Sequence, residues 1–177
     1  MGLIADSAPA AATTSEAVRH VADRVSRAGI ATTPAAELRN VETPDADQLA
    51  RWLKTIVAAL EASPVPKFEW QGVSRIFDAE DLAALLNVSV SSLRRYQSGE
   101  RATPDDVAAR LHFVALVIGD LAGSYNDIGV RRWFVRRRSL LDDRTPASLL
   151  HGDWDPDHPG PARVRTLARE LVSLDAT

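Results

Sequence analysis

The segment DAEDLAALLNVSVSSLRRYQSGERATP, residues 78–104, limits the fold more than any other part of the chain. Asp78 stands where a helix N-cap belongs, and Phe77 just before it suits a hydrophobic staple. Ala83 is small at the point where two helices must cross closely. Asn87 occupies a turn position that calls for a left-handed backbone, where glycine is commonest and asparagine next best tolerated. Val88 and Leu93 are apolar where a second helix must pack on the first, and Ser89 can cap that second helix. These spacings are those of a helix-turn-helix.

Such a unit puts the N-terminal residues of its second helix into the major groove of DNA. Val90, Ser91, Arg94 and Arg95 then face outward and Tyr96 packs inward. Arginine can pair bidentately with guanine, and Ser89 and Ser91 can reach phosphates or base edges. Glu80, Asp81, Glu100, Asp105 and Asp106 lie nearby and weaken the attraction to phosphate. The bland alternative is two packed helices with a solvated arginine pair.

The remainder of the chain also carries helical spacing. In SEAVRHVADRVSRAGI, Val18, Val21, Ala22 and Val25 share a face, with Ser15 as cap and Gly29 as stop. A stronger helix spans 44–62. Thr43 caps it, Pro44 sits in its first turn, and Leu49, Trp52, Leu53, Ile56, Val57 and Leu60 form one apolar stripe. That stripe packs on the rest of the chain or joins a second chain as a dimer. SPVPKFEWQG, 63–72, reads as a linker or irregular arm. Further helices are expected at about 104–122, 125–138, 145–151 and 161–173. With no alternating strand pattern and no repeat, the expected fold is all-α. Its expected parts are a disordered tail (1–14), an N-terminal helical extension (15–66), a helix-turn-helix domain (67–124) and a small helical domain (125–177).

The chain has 177 residues, 21 Lys and Arg against 24 Asp and Glu, and no cysteine. The absence of thiols excludes disulfides, cysteine nucleophiles and cysteine-ligated zinc, and fits a cytoplasmic location. No apolar run approaches the roughly 20 residues that span a bilayer. A secretory signal is not expected at the N-terminus. The net charge of −3 decides nothing about nucleic acid, but the arginines cluster at 94, 95 and 101 and again at 131, 132 and 136–138. The run 136–138 is better read as solvated or partner-facing than as nucleic-acid-binding.

HGDWDPDH, 151–158, resembles a metal loop superficially. A calcium loop counted from Asp153 would need glycine and glutamate where His158 and Val164 stand. Two prolines favour an irregular loop over the rigid support that zinc requires. No Gly-rich phosphate loop and no nucleophile motif occurs, so no enzyme activity, metal or cofactor is expected. His20 and His112 fall within helices as surface or core residues.

Residues 75–174 nevertheless follow a recognisable order. SGERATP is similar to the ending of phage-repressor-like (Xre-type) helix-turn-helix domains, which implies a phosphate contact for Arg101. GVRRWFVRRRSLLDDRTPASLLHGDW…RVRTLARELV resembles the C-terminal toxin-binding domain of Xre/MbcA/ParS-type antitoxins. Arg132-Trp133 matches that family's Arg-Trp pair. Arg144-Thr145-Pro146 with Leu149-Leu150 matches its Gly-Arg-Thr-Pro-x-x-Leu-Leu element, with Asp143 in place of the glycine. ARVRTLARELV matches its last helix. The family's loop usually carries Asn-Pro, whereas this chain has VRRRSLL. Thr145 is a good N-cap and Pro146 a good first residue, and Asp142 or Asp143 can neutralise Arg144 beside that helix start.

The resemblance implies a cognate RES-domain toxin, an NAD-destroying enzyme whose cleft the antitoxin covers, together with operator DNA and assembly as a homodimer or toxin–antitoxin hetero-oligomer. The alternative is a stand-alone helix-turn-helix regulator. The expected toxin-binding residues are Trp133, Arg144, Thr145, Pro146, Arg163, Arg165, Leu167, Arg169 and Leu171. Val164, Leu167, Leu171 and Val172 would give the last helix its apolar face, and the arginines would meet cleft carboxylates. Equally, Trp133 can be core, and Leu167 and Leu171 can pack within the chain.

Overall fold

Residues 14–27, 30–41 and 45–174 are described in the computed structural model. The fold is all-α, with ten α-helices and one 3-10 helix among the described residues. No helix there is long and apolar enough to cross a membrane. The chain divides into two compact units, one ending at Val65 and one beginning at Pro66.

The first unit holds α1 (Thr14–Arg27), α2 (Thr32–Arg39) and α3 (Ala46–Glu61). Val18, Ala22 and Val25 of α1, Ile30, Ala35 and Leu38 around α2, and Ile56 of α3 form its core. Two expectations change, and one segment without an expectation gains a helix. Ser15 lies inside α1 rather than ahead of it, because the helix starts at Thr14. The segment around α2, left unassigned by its proline and threonines, is helical. The start of α3 is fixed by Asp45, whose Oδ1 accepts the Gln48 N–H at 2.7 Å while the Asp45 N–H donates to Gln48 Oε1 at 3.1 Å. The tail as far as residue 13, Gly29, Thr43 and Pro44 lie outside the described residues.

Of the α3 stripe, Ile56 is buried, while Leu49, Trp52, Leu53 and Leu60 pack partly against the core. Val57 is 50 % exposed. It follows Ile56 directly, so at 3.6 residues per turn it points off the edge of the buried stripe.

The second unit is built around α7 (Asp105–Leu121), which buries nine side chains, from Val107 to Leu121. A helix apolar on nearly every side must be central. Packed along it are α4 (Pro66–Ile76) and α10 (Pro159–Leu174). The helices α5 (Ala79–Leu86), α6 (Val90–Ser98), α8 (Asp127–Val135) and the short α9 (Pro146–Leu149) complete the unit. One core runs from Trp70 through Phe134 and Trp154 to Ala168. Residues of α5 and α6 and the C-terminal helices therefore share a single core.

The expected linker 63–72 is largely helix. Pro66 opens α4, where a missing N–H leaves nothing unsatisfied. Trp70, Val73 and Ile76 are buried along one α4 face. The Trp70 ring stacks on Tyr96 with centroids 6.5 Å apart, and its Nε1 donates to Thr103 Oγ1 at 3.1 Å. Glu69, also buried, places Oε1 2.5 Å from His112 Nδ1 on α7.

Helix α8 is shorter than expected. Asn126 caps it by accepting the Gly129 N–H at 2.9 Å, and the backbone turns extended at Arg136. The arginine run 136–138 is thus not helical. Arg138 and Arg144 form an isolated bridge that closes a tight turn around the buried Leu141. The Arg138 guanidinium lies 5.3 Å from the Trp133 ring centroid.

Candidate functional site

Asp78 accepts the Asp81 N–H at 2.8 Å and starts α5. That helix ends at Asn87, which is left-handed with φ 55° and ψ 47°. Its amide and that of Val88 return to the carbonyls of Ala84 and Ala83 at 3.3 and 3.0 Å. Ser89 then caps α6, accepting the Ser92 N–H at 3.1 Å. Its Oγ also lies 3.0 Å from Ser91 Oγ and donates to Ser92 Oγ at 2.9 Å. Leu93 and Tyr96 are buried and Val88 packs against the core. Two short helices, α5 and α6, are thus joined by a capped, left-handed turn and pack into one core.

On α6, Ser91, Arg94 and Arg95 are exposed. Val90 is not free as expected; it is half-buried against the core, because the first turn of α6 leans on α5. Arg94 has no ion-pair partner among the described residues. Arg95 Nε lies 3.8 Å from Glu100 Oε1, with both side chains largely exposed, so that pair holds it weakly. Arg101 rests over the Tyr96 ring at 5.7 Å and is otherwise solvent-facing. The outer face of α6 thus offers two arginines and a serine, with Arg101 just beyond its C-terminal cap, Gly99.

The Arg-Thr-Pro element is built as its sequence demands. Thr145 accepts the Ser148 N–H at 3.1 Å and Pro146 is the first residue of α9. Asp143, standing where the resembled family has glycine, is left-handed at φ 55°, as is Asp142 at φ 56°. Glycine is the cheapest residue there, and aspartate is among the few others that tolerate it. Arg144 is exposed and donates to the Ser148 carbonyl at 3.3 Å. Asp142 is instead taken by Arg163, whose Nη1 donates to it at 2.7 Å while Nη2 donates to the Leu140 carbonyl at 2.9 Å. The hydrogen bond and charge of Arg163, aided by Arg144, hold the Asp142 carboxyl below its usual pKa.

The other residues expected at a toxin surface are placed differently. Trp133 is 1 % exposed, Phe134 is fully buried and Pro146 is buried. Val164, Leu167 and Ala168 are buried in the core, and Leu171 packs against it. The side chain of Val172 lies outside the described residues. Arg165 and Arg169 both approach Asp120 of α7, at 3.6 and 3.7 Å. The last helix spends its apolar face on α7 rather than displaying it.

The acid loop hides a tryptophan that the sequence reading passed over. Trp154 is buried, donates from Nε1 to the Leu85 carbonyl at 2.8 Å and meets Phe113 edge-on at 5.3 Å. Asp153 pairs with Arg110 at 2.7 Å, and the Asp155 N–H donates to His158 Nδ1 at 3.1 Å. No group of three or more metal-ligating side chains converges among the described residues. The loop is a peg seated at the C-terminal end of α5, directly before the turn. A tryptophan among turn residues was the signal that could have revealed it.

No family model, no curated protein and no solved structure matches this chain.

Proposed function

We propose that the chain is the antitoxin of a type II toxin–antitoxin pair, which binds and neutralises a RES-type NAD-degrading toxin and represses its own operon through the helix-turn-helix. The carrying observation is the α5–Asn87–α6 unit, capped at Ser89 and presenting Ser91, Arg94 and Arg95 to solvent. It shares one core with an Arg-Thr-Pro element whose cap, proline and left-handed lead-in all suit the resembled antitoxin pattern. Ser91, Arg94 and Arg95 are the base and phosphate contacts, and Arg101 is a phosphate contact.

A stand-alone regulator is the second reading. It is favoured by the internal use of Val164, Leu167 and Ala168, which leaves the last helix no broad apolar face for an enzyme cleft. Of the residues expected to meet the toxin, Arg144, Arg163 and Arg169 are the ones that are exposed. The test is fluorescence anisotropy on DNA from the chain's own promoter, with and without the product of a neighbouring RES-type gene. Salt-sensitive binding that the partner modulates supports the antitoxin; binding indifferent to it supports the regulator. Absence of binding in both states would remove the DNA-binding part of the proposal.

A further inference from the structure

Helix α8 leaves an unusual edge exposed. Ile128 is 62 % and Val135 60 % exposed, seven residues apart and so nearly in line along the helix. Between them stand Arg131 and Arg132, with Arg136 and Arg137 following, all exposed. None of these four arginines is in an ion pair among the described residues. Beside this edge a groove of about 110 Å³ opens between α5, α8 and α9. Phe77, Leu85, Phe134 and Leu150 are among its apolar walls; Asp81, Arg131 and His151 are its ionisable groups. An engineered cavity of roughly 150 Å³ with similar walls accepts benzene, so this groove suits one aromatic or branched aliphatic side chain.

Arg131 is already oriented at its rim. Its Nε donates to the Ile76 carbonyl at 2.7 Å, and neither Nη group has an acceptor among the described residues. A guanidinium held this way loses less freedom when it meets a carboxylate. Against Asp81 in the groove and Asp127 at the start of α8 stand Arg131 and the neighbouring Arg132, Arg136 and Arg137, so the cations outnumber the acids. A second copy of this chain docked face to face would set the α8 arginines against one another, which like charges disfavour. Duplex DNA would meet the arginines but has nothing to place in the apolar floor.

We propose that the α5–α8–α9 groove is a docking site for an acidic helical segment of another protein, which inserts one aromatic or large aliphatic side chain and pairs flanking carboxylates with Arg131 and the arginines that follow it. The site does not involve the outer face of α6 and does not depend on DNA binding.

The probe is a synthetic helical peptide with one phenylalanine flanked by glutamates, titrated into the isotope-labelled full chain while amide chemical shifts are followed by NMR. Saturable shifts at Ala84, Leu85, Val135 and Ala147 are expected. Ala84→Trp, which fills the groove, and Arg131→Glu, on the exposed rim, should each weaken binding about tenfold or more. Circular dichroism checks both folds, and the exposed Arg131 position keeps the test open if the groove-filling variant misfolds. Peptides with lysine for glutamate or alanine for phenylalanine should bind at least about tenfold more weakly. Equal binding by either control, or no saturable shift with the acidic peptide, would overturn the proposal. Shifts of the same amides on dilution of the chain alone, or on adding duplex DNA in place of peptide, would likewise reassign the face to self-association or to nucleic acid.

Discussion

The buried guanidinium of Arg110 donates from Nε to the main-chain carbonyl of Trp154 at 2.8 Å, while Trp154 donates its indole N–H to the carbonyl of Leu85. Arg110 Nη1 reaches the neighbouring Leu86 carbonyl at 3.3 Å. One arginine on α7 and one tryptophan from the acid loop therefore satisfy the last carbonyls of α5, whose ends a helix leaves unpaired. The loop between α9 and α10 is fastened to the C-terminal end of α5.

This fastening ranks the loop residues. Trp154→Ala should destabilise the second unit by about 3–5 kcal/mol, as for other buried aromatics. Trp154→Phe should cost about 1–3 kcal/mol by leaving the Leu85 carbonyl without its donor. Asp153→Ala should cost less than Trp154→Ala, since Asp153 is 95 % exposed and the buried Arg110 keeps the Trp154 and Leu86 carbonyls. Urea unfolding midpoints of the three variants give the order directly.

The turn makes its own prediction. Asn87 is left-handed, so Asn87→Ala should destabilise by about 1–2 kcal/mol and Asn87→Gly should be close to neutral. Thermal unfolding of the two variants compares them. Equal destabilisation by both would mean that the Asn87 side chain, not its backbone, is what matters.

For DNA, Arg95→Ala should weaken specific binding by about 1–3 kcal/mol, and affinity should fall steeply with added salt. Glu100→Gln should strengthen binding modestly, because it removes the acid 3.8 Å from Arg95. Anisotropy titrations at several salt concentrations measure both.

The Asp142–Arg163 pair predicts a direction in acid. The folded-state pKa of Asp142 lies below its unfolded value of about 3.9, so the pair contributes above that value and is lost as pH falls through the lowered folded value. In Arg163→Ala the Asp142 carboxyl should titrate at higher pH, as read by carboxyl NMR shifts. No change would show that the hydrogen bond is not formed in solution.

Much of the fold was legible because it is local. Asp78, Ser89 and Thr145 each receive an N–H from three residues ahead, and the left-handed Asn87 follows from the same short window. What was not legible depends on distant packing. Pro64 and Pro66 made α4 read as a linker, yet Pro66 only opens a helix that Trp70 anchors on Tyr96. The spacing of Val164, Leu167 and Leu171 showed that α10 has an apolar face but not that α7 covers it. Likewise the acids around Trp154 drew attention to charge, while the residue that matters there is apolar and reaches across to α5.

The central claim is neutralisation of an NAD-destroying partner. It is tested most directly by following NAD loss catalysed by the purified RES-domain product of a neighbouring gene while this chain is titrated in. The account predicts that NAD loss stops at a fixed molar ratio of the two proteins. Undiminished NAD loss with the chain in excess would contradict it.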